Sequence, residues 1–386
     1  MNTQVRICAM FCVAALGVSM LGGCSSGGDE NMDKTITLTE DNVKLVGRTY
    51  LEEDTLWLSM SGTGVSFEFT GKELTFTLIG DGAATTADND ANYARFAVCI
   101  NGERVIDEQL KAAEYTCTAF TSETEQTVQV DFIKLSECAN SNIGLRPIQI
   151  DGNEAIKPAA KKERKIEFIG DSITCGYGVD DEDRNHHFST ATEDVTKAYA
   201  YRTAQALDAD YSMFSISGYG IISGYTDSGA PQTKQIIPRY YDDLGFSHQK
   251  FSEDAKPSSV DWDYSRFQPD VVVINLGTND ASYCKSAETK AEFTAGYVDF
   301  LKTVRAANPD ARIICALGIM GDALLPDVQA AVDTYTAETG DSKVSVFGFT
   351  PQQEADGIAA DWHPSAKTHQ KAADALAAEI RSVMGW

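Results

Sequence analysis

The spacing of apolar residues changes its period partway along the chain. From about residue 35 to 156, apolar and polar positions alternate in short runs. Residues 65–70 and 74–78 alternate strictly, the two-residue period of strands with one buried face. Gly71-Lys72 between them reads as a hairpin turn. Residues 94–100 and 104–107 flank Asn101-Gly102, a pair suited to the positive φ angles of a tight hairpin. Residues 127–135 and 146–150 add further short strands. This spacing predicts an all-β sandwich or jelly roll over residues 35–157. The charged stretch 157–165, interrupted by Pro158, reads as a linker.

Beyond residue 165 the rhythm becomes strand, helix, strand. Continuous apolar runs at 166–169, 211–216, 271–275, 312–317 and 344–347 alternate with amphipathic stretches at 198–207, 288–307, 325–338 and 365–383. Short fully apolar strands separated by helices predict an α/β domain, residues 163–386, with a parallel sheet covered on both faces. A chain of 386 residues exceeds what one core usually serves, in keeping with two domains.

The first 23 residues have the form of an export signal: Arg6, then an apolar run from Ile7 to Leu21 that is short for a membrane span. Leu21-Gly22-Gly23-Cys24 is similar to a bacterial lipobox. That resemblance implies a lipoprotein anchored to the membrane through Cys24, displayed at the outer membrane or cell surface, with residues 24–34 as a flexible tether. A plain cleaved signal releasing a soluble protein is the alternative. A net charge of −25 opposes binding to phosphate backbones, so no nucleic-acid partner is expected and neutral substrates are favoured. Beyond Cys24 six cysteines remain without a CxxC pair. They read as mostly free, buried thiols, and no metal site or cofactor is expected.

Gly170-Asp171-Ser172-Ile173-Thr174 follows the first strand of the second half. A serine at the carboxyl end of a buried parallel strand faces the crevice where open α/β sheets bind ligands. Its hydroxyl is a weak nucleophile and needs a positioned base. Among five histidines, His363 lies in a Trp-His-Pro turn ahead of the last helix, where a loop can carry it over the sheet edge. His369 reads as a helix-surface residue, His186 and His187 as solvated loop residues, and no motif surrounds His248.

Three later segments complete a pattern: Ser215-Ile216-Ser217-Gly218, Asn275-Leu276-Gly277-Thr278-Asn279-Asp280 and Asp361-Trp362-His363-Pro364. Their order and spacing resemble the SGNH (GDSL-type) hydrolase superfamily over about the last 220 residues. The resemblance implies a three-layer domain with Ser172 as nucleophile and His363 as base. The Ser172 and Gly218 N–H groups and the Asn279 amide would be the oxyanion donors. The superfamily usually places an Asp three residues before the histidine. Here that position is Ala360, and the nearest acid is Asp361, two residues before. Either the Asp361 carboxylate reaches Nδ1 to complete a catalytic triad, or a backbone carbonyl orients a Ser–His dyad.

The β half ahead of such a domain, with Gly47-Arg48, Trp57-Leu58 before Ser61-Gly62, Asn101-Gly102 and Ser217-Gly218-Tyr219-Gly220, is similar to carbohydrate esterase family 2. That family removes acetyl groups from xylan and glucomannan, which makes an acetylated polysaccharide or oligosaccharide the expected partner. Trp362, Tyr177 and Tyr219 are then candidate sugar-stacking rings. Another O-acetylated glycan (peptidoglycan, sialate or pectin) is an alternative substrate. A glycan-binding surface lipoprotein with a vestigial hydrolase half is an alternative function.

Overall fold

The computed structural model describes residues 33–89, 91–152 and 156–386. The signal segment, the lipobox and Cys24 lie outside the described residues. The N-terminal half is an antiparallel sheet built around two long strands, β1 (Gly64–Gly80) and, after the hairpin β2 (Ala94–Ile100) and β3 (Glu103–Leu110), β4 (Glu114–Lys134). Asn101 and Gly102 take φ of 51° and 82°, making the predicted hairpin turn. Gly71-Lys72 makes none. The chain runs straight through as one strand, and the register against β4 slips between Gly71 and Glu73. The alternation on either side of Gly71 is real, yet it belongs to a single bulged strand that bends as it passes from one part of the sheet to the next.

Inward residues of these strands, among them Phe67, Phe69, Phe76, Phe96 and Phe132, form the core of the β half. Asp33 and Lys34, expected in the tether, open a strand that runs to Ile36 and pairs with Ile148–Asp151, and Lys157–Pro158, expected in the linker, pairs with Phe67 and Glu68 of β1.

The second half is a five-stranded parallel sheet, β5 (Arg164–Gly170), β6 (Ala209–Ser215), β7 (Val271–Asn275), β8 (Arg312–Leu317) and β9 (Val344–Gly348), in the spatial order β6-β5-β7-β8-β9. After the single-turn helix α1 (Ser172–Cys175) come the long helices α2 (Tyr199–Ala206), α3 (Ala287–Ala307), α4 (Leu325–Thr339) and α5 (Ala366–Met384). Helices α2 and α5 cover one sheet face with Ile166, Phe168, Met213 and Val273 beneath them. Helices α3 and α4 cover the other, over Phe214, Val272, Ile274 and Ile313. The continuous apolar runs follow from this double coverage. All six described cysteines are free, five of them buried.

The two sheets are packed together in one unit. Met60, Cys138 and Ala139 of the β half lie in one hydrolase core and Ala97, Ile133 and Leu135 in the other. At the centre of the contact Arg48 is fully buried. Its guanidinium donates to Glu167 Oε1 at 3.2 Å and to the carbonyls of Tyr241 and Asp243 at 2.5 and 2.6 Å. The rings of Phe214, Tyr241, Trp262 and Tyr264 surround it, and Tyr241 donates its hydroxyl to the other Glu167 oxygen at 2.6 Å. Removing one partner of such a pair strands the other charge without water, a loss of about 3–5 kcal/mol. Arg48→Met is therefore expected to lower unfolding free energy by about that amount in urea titrations. Arg48→Met with Glu167→Leu should recover part of it, because no buried charge is then left unpaired.

Candidate active site

Three neighbouring strand ends converge on one crevice. In the parallel register Gly170 of β5 pairs with Ser215 of β6 on one side and Asn275 of β7 on the other. The loops that follow carry Ser172, Ser217-Gly218 and Asn279. The order β6-β5-β7 places β5 where successive connections depart in opposite directions, the point at which open α/β sheets form their crevice. Gly170 permits the sharp exit, because a Cβ there would lie 2.0 Å from Thr174 Oγ1. Asp171 then caps α1, its Oδ1 accepting the Ile173 N–H at 3.0 Å. Ser172 thereby sits at the first position of the turn, 7% exposed.

His363 comes from the turn ahead of α5. Its Nε2 lies 2.8 Å from Ser172 Oγ, and its Nδ1 lies 3.1 Å from the backbone carbonyl of Asp361. A carbonyl can only accept, so Nδ1 carries the proton and Nε2 faces the serine with a lone pair. Burial pushes the imidazole pKa down to about 4, against the raising pull of the Asp361 and Ala360 carbonyls. The ring is therefore a neutral base across the neutral and mildly acidic range.

The Asp361 carboxylate does not reach His363, which corrects the triad option. Its Oδ2 accepts from the Tyr177 hydroxyl at 2.7 Å and the Phe188 N–H at 2.9 Å, while Oδ1 lies 3.0 Å from His187 Nδ1. The backbone explains the geometry. Asp361 and Trp362 are consecutive left-handed residues, φ 48° and 64°, a conformation that costs about 1–2 kcal/mol per L-residue. This turn aims the Asp361 carbonyl at the imidazole, and the three bonds to its carboxylate hold it there. Ala360 is fully buried against Gly178, where even one added Cβ would come within 2.8 Å of the alanine methyl. Packing leaves that position little room for a larger side chain.

On the other side of Ser172, Gly218 has φ of 80° and open space where a side chain would stand. Neither its N–H nor that of Ser172 has a hydrogen-bond partner among the described residues. The Asn279 amide is in the same crevice, 8% exposed. It donates to the Tyr219 carbonyl at 2.8 Å and, at 3.3 Å, to Asp171 Oδ2. Burial, with the charge of Asp280 adding to it, pushes Asp171 up to about 7. Asp280 anchors the next loop, accepting the N–H groups of Ile221, Ile222 and Ser223 at 2.8–3.1 Å. A serine with a neutral base, beside two free backbone donors and an amide, can attack an ester carbonyl and hold the resulting oxyanion.

The aromatic expectations divide. Trp362 is 54% exposed at the rim, with the Arg184 guanidinium over its ring. Tyr177 lies against the His363 ring, centroids 3.8 Å apart, so its face supports the base and is closed to a sugar. Tyr219 is 6% exposed and packed against Tyr240 and Phe246, so it belongs to the core. His369 is also a correction: it is fully buried, with Nδ1 accepting the Tyr199 N–H at 3.1 Å. Sequence reasoning missed Tyr225, 56% exposed, whose N–H donates to the Gly218 carbonyl at 2.9 Å. An aromatic following Gly224 so soon after the Gly218 motif was the available signal. It also missed Glu137, buried at 2% exposure, whose Oε2 accepts the Ser217 N–H at 3.0 Å. That residue lies in the β half, and no local pattern connects it with Ser217.

Known proteins share this architecture. Residues 168–371 match the GDSL-like lipase/acylhydrolase family, and residues 45–159 match the N-terminal domain of carbohydrate esterase 2. A cellulase/esterase of Acetivibrio thermocellus is 32% identical over 84% of this chain. The match spans 37% of that relative's length. An acetylxylan esterase / glucomannan deacetylase of Cellvibrio japonicus is 26% identical over 91% of this chain and 92% of its own. An acetyl xylan esterase from the rumen bacterium Butyrivibrio proteoclasticus superposes with a TM-score of 0.83 at 26% identity, covering 92% of this chain and 99% of that one. The chain belongs to the GDSL-like lipase/acylhydrolase family, and the domain ahead of its hydrolase half matches the N-terminal domain of carbohydrate esterase 2.

Proposed function

We propose that this protein is a serine esterase that removes acetyl groups from plant polysaccharides of the xylan or glucomannan type. The observation that carries the reading is the 2.8 Å approach of His363 Nε2 to Ser172 Oγ, with Nδ1 tied to the Asp361 carbonyl. Relatives named as acetylxylan esterases, one of them also as a glucomannan deacetylase, support the substrate class.

Ser172 Oγ attacks the acetyl carbonyl as its proton passes to His363 Nε2. The negative oxygen of the tetrahedral intermediate meets the Ser172 and Gly218 N–H groups. It also draws the Asn279 amide away from its long contact with Asp171. His363 then returns the proton to the departing sugar oxygen, leaving acetyl-Ser172. Water, activated by the same imidazole, adds to that ester and releases acetate. The Asp361 carbonyl holds the imidazole orientation throughout, so the catalytic pair is a dyad.

Trp362, next to the base in the chain, and Tyr225, whose N–H holds the Gly218 carbonyl, are both exposed. Each can stack against the apolar face of a pyranose and present one acetylated hydroxyl between them. The lipobox at residues 21–24 supports display as an exported lipoprotein anchored at Cys24, in reach of polymeric substrate.

The purified enzyme is expected to release acetate from acetylated xylan or glucomannan and not from acetylated peptidoglycan, with Ser172→Ala inert on every ester. Acetate release by Ser172→Ala would remove the mechanism; a preference for peptidoglycan would move the substrate. On p-nitrophenyl acetate, kcat/KM should rise with pH through about 4 and remain high to neutrality. The sign follows from the base: below its folded pKa His363 is imidazolium and cannot accept the Ser172 proton. An acid limb near the ordinary histidine value would contradict the burial argument. Asp361→Ala leaves the orienting carbonyl in place, so kcat should fall about tenfold or less, against about 10⁴-fold for a triad carboxylate.

A further inference from the structure

The buried carboxylate of Glu137 has no part in the chemistry described, yet it touches the backbone one residue before Gly218. It is carried on the loop that leaves β4 and leads to the short strand Ile143–Leu145, so it comes from the β half. Glu137 Oε2 accepts the Ser217 N–H at 3.0 Å. The same loop places Cys138 Sγ 3.6 Å from the Ser215 carbonyl, gripping the end of β6 at two points. From the far side, the Tyr225 N–H holds the Gly218 carbonyl at 2.9 Å.

We infer that Glu137 is a positioning residue for the esterase reaction: it fixes the Ser217 peptide so that the Gly218 N–H points into the crevice, making the β half part of the oxyanion-binding apparatus. The inference rests on the reading of Gly218 as an oxyanion donor.

Glu137 is itself tightly held. Its N–H donates to Glu193 Oε2 at 2.8 Å, and its carbonyl accepts from Lys134 Nζ at 2.8 Å, which also donates to the Ser136 carbonyl at 2.6 Å. Lys134 and Glu193 are fully buried. Glu193 comes from the loop between α1 and α2, which Arg95 of β2 ties down through the Glu193 carbonyl at 3.2 Å and Asp180 Oδ2 at 2.9 Å. Three buried acids, Glu137, Glu193 and Asp81, face one buried amine, Lys134. Burial raises the Glu137 and Glu193 carboxyls, and Glu193, with the Glu137 charge adding to burial, is held well above the ordinary range. The same burial lowers the Lys134 amine. Such an arrangement is costly to bury, and Glu137 spends one of its two oxygens on a single peptide of the oxyanion loop.

Reach and charge can be separated. Glu137→Asp keeps the charge and shortens the arm by one methylene, so the Ser217 N–H loses its acceptor. Glu137→Gln keeps the acceptor and drops the charge. On p-nitrophenyl acetate, Glu137→Asp is expected to lower kcat about 10- to 100-fold with KM within about twofold, because a misaimed donor is felt in the transition state. Glu137→Gln is expected to retain most of kcat. Near-wild-type kcat in Glu137→Asp overturns the inference, as do equal losses in the two variants. A loss confined to KM, or unfolding of both by near-UV circular dichroism and thermal melting, shows a purely structural role and also overturns it. If the wild type shows no esterase activity, or Ser172→Ala keeps it, the serine-esterase reading itself is at fault.

Discussion

A charge buried between two domains is the constraint on which the rest of this fold depends. Arg48 has no access to water, so its guanidinium must be satisfied within the protein. Its partners are Glu167 and two carbonyls of the hydrolase half. Glu167 stands on β5, the strand that delivers Ser172 five residues later. The faces of Phe214, Tyr241, Trp262 and Tyr264 around it favour a planar cation and leave no route for solvent to replace a lost partner. The halves therefore cannot separate without exposing an apolar cage and breaking an ion pair, and the nucleophile's strand is the one held in register by that contact.

The same economy organises the crevice. A parallel sheet ends all its strands at one edge, and at the β6-β5-β7 junction three consecutive ends lie side by side. Ser172, Gly218 and Asn279 need no long-range adjustment to meet, because adjacent hydrogen-bonded strands set their spacing. His363 is the exception. It arrives from the turn before α5, and a strained backbone, Tyr177 and the Asp361 carboxylate are all engaged in placing one ring.

Much of this was legible in the chain. The strand at 271–275 has the predicted limits and the helix at 325 starts where expected and ends one residue later, at Thr339, because a fully buried parallel strand and a helix opened by Pro326 and closed by Gly340 signal themselves in the chain. The β half was harder. Gly71-Lys72 looks like a turn because local alternation cannot distinguish a hairpin from a bulge when both are flanked by good strands; the pairing with β4 decides. The same limit applies to side chains. Tyr219 and His369 look exposed by neighbourhood and are buried by tertiary contact, and Tyr177 turns its ring onto His363 because the loop after α1 folds back over it. Glu137 was invisible, since its meaning lies in a backbone N–H 80 residues away. The option of a carbonyl at Nδ1 was readable from Ala360 alone, but the choice between it and the Asp361 carboxylate required the two left-handed residues.

That left-handed pair has a further effect on how the site can change. A side-chain acceptor can be deleted by one codon change and titrated away in acid. A peptide oxygen is present whatever residue stands at 361, and it has no proton to gain in the working range. The orienting function is thus stored in the path of the main chain, maintained jointly by Asp361, Tyr177 and the crowded Ala360–Gly178 contact. Sequence drift at any one of these would degrade the turn by degrees. Genetic robustness of the dyad is therefore a property of conformation, spread over several positions, each of which looks dispensable alone.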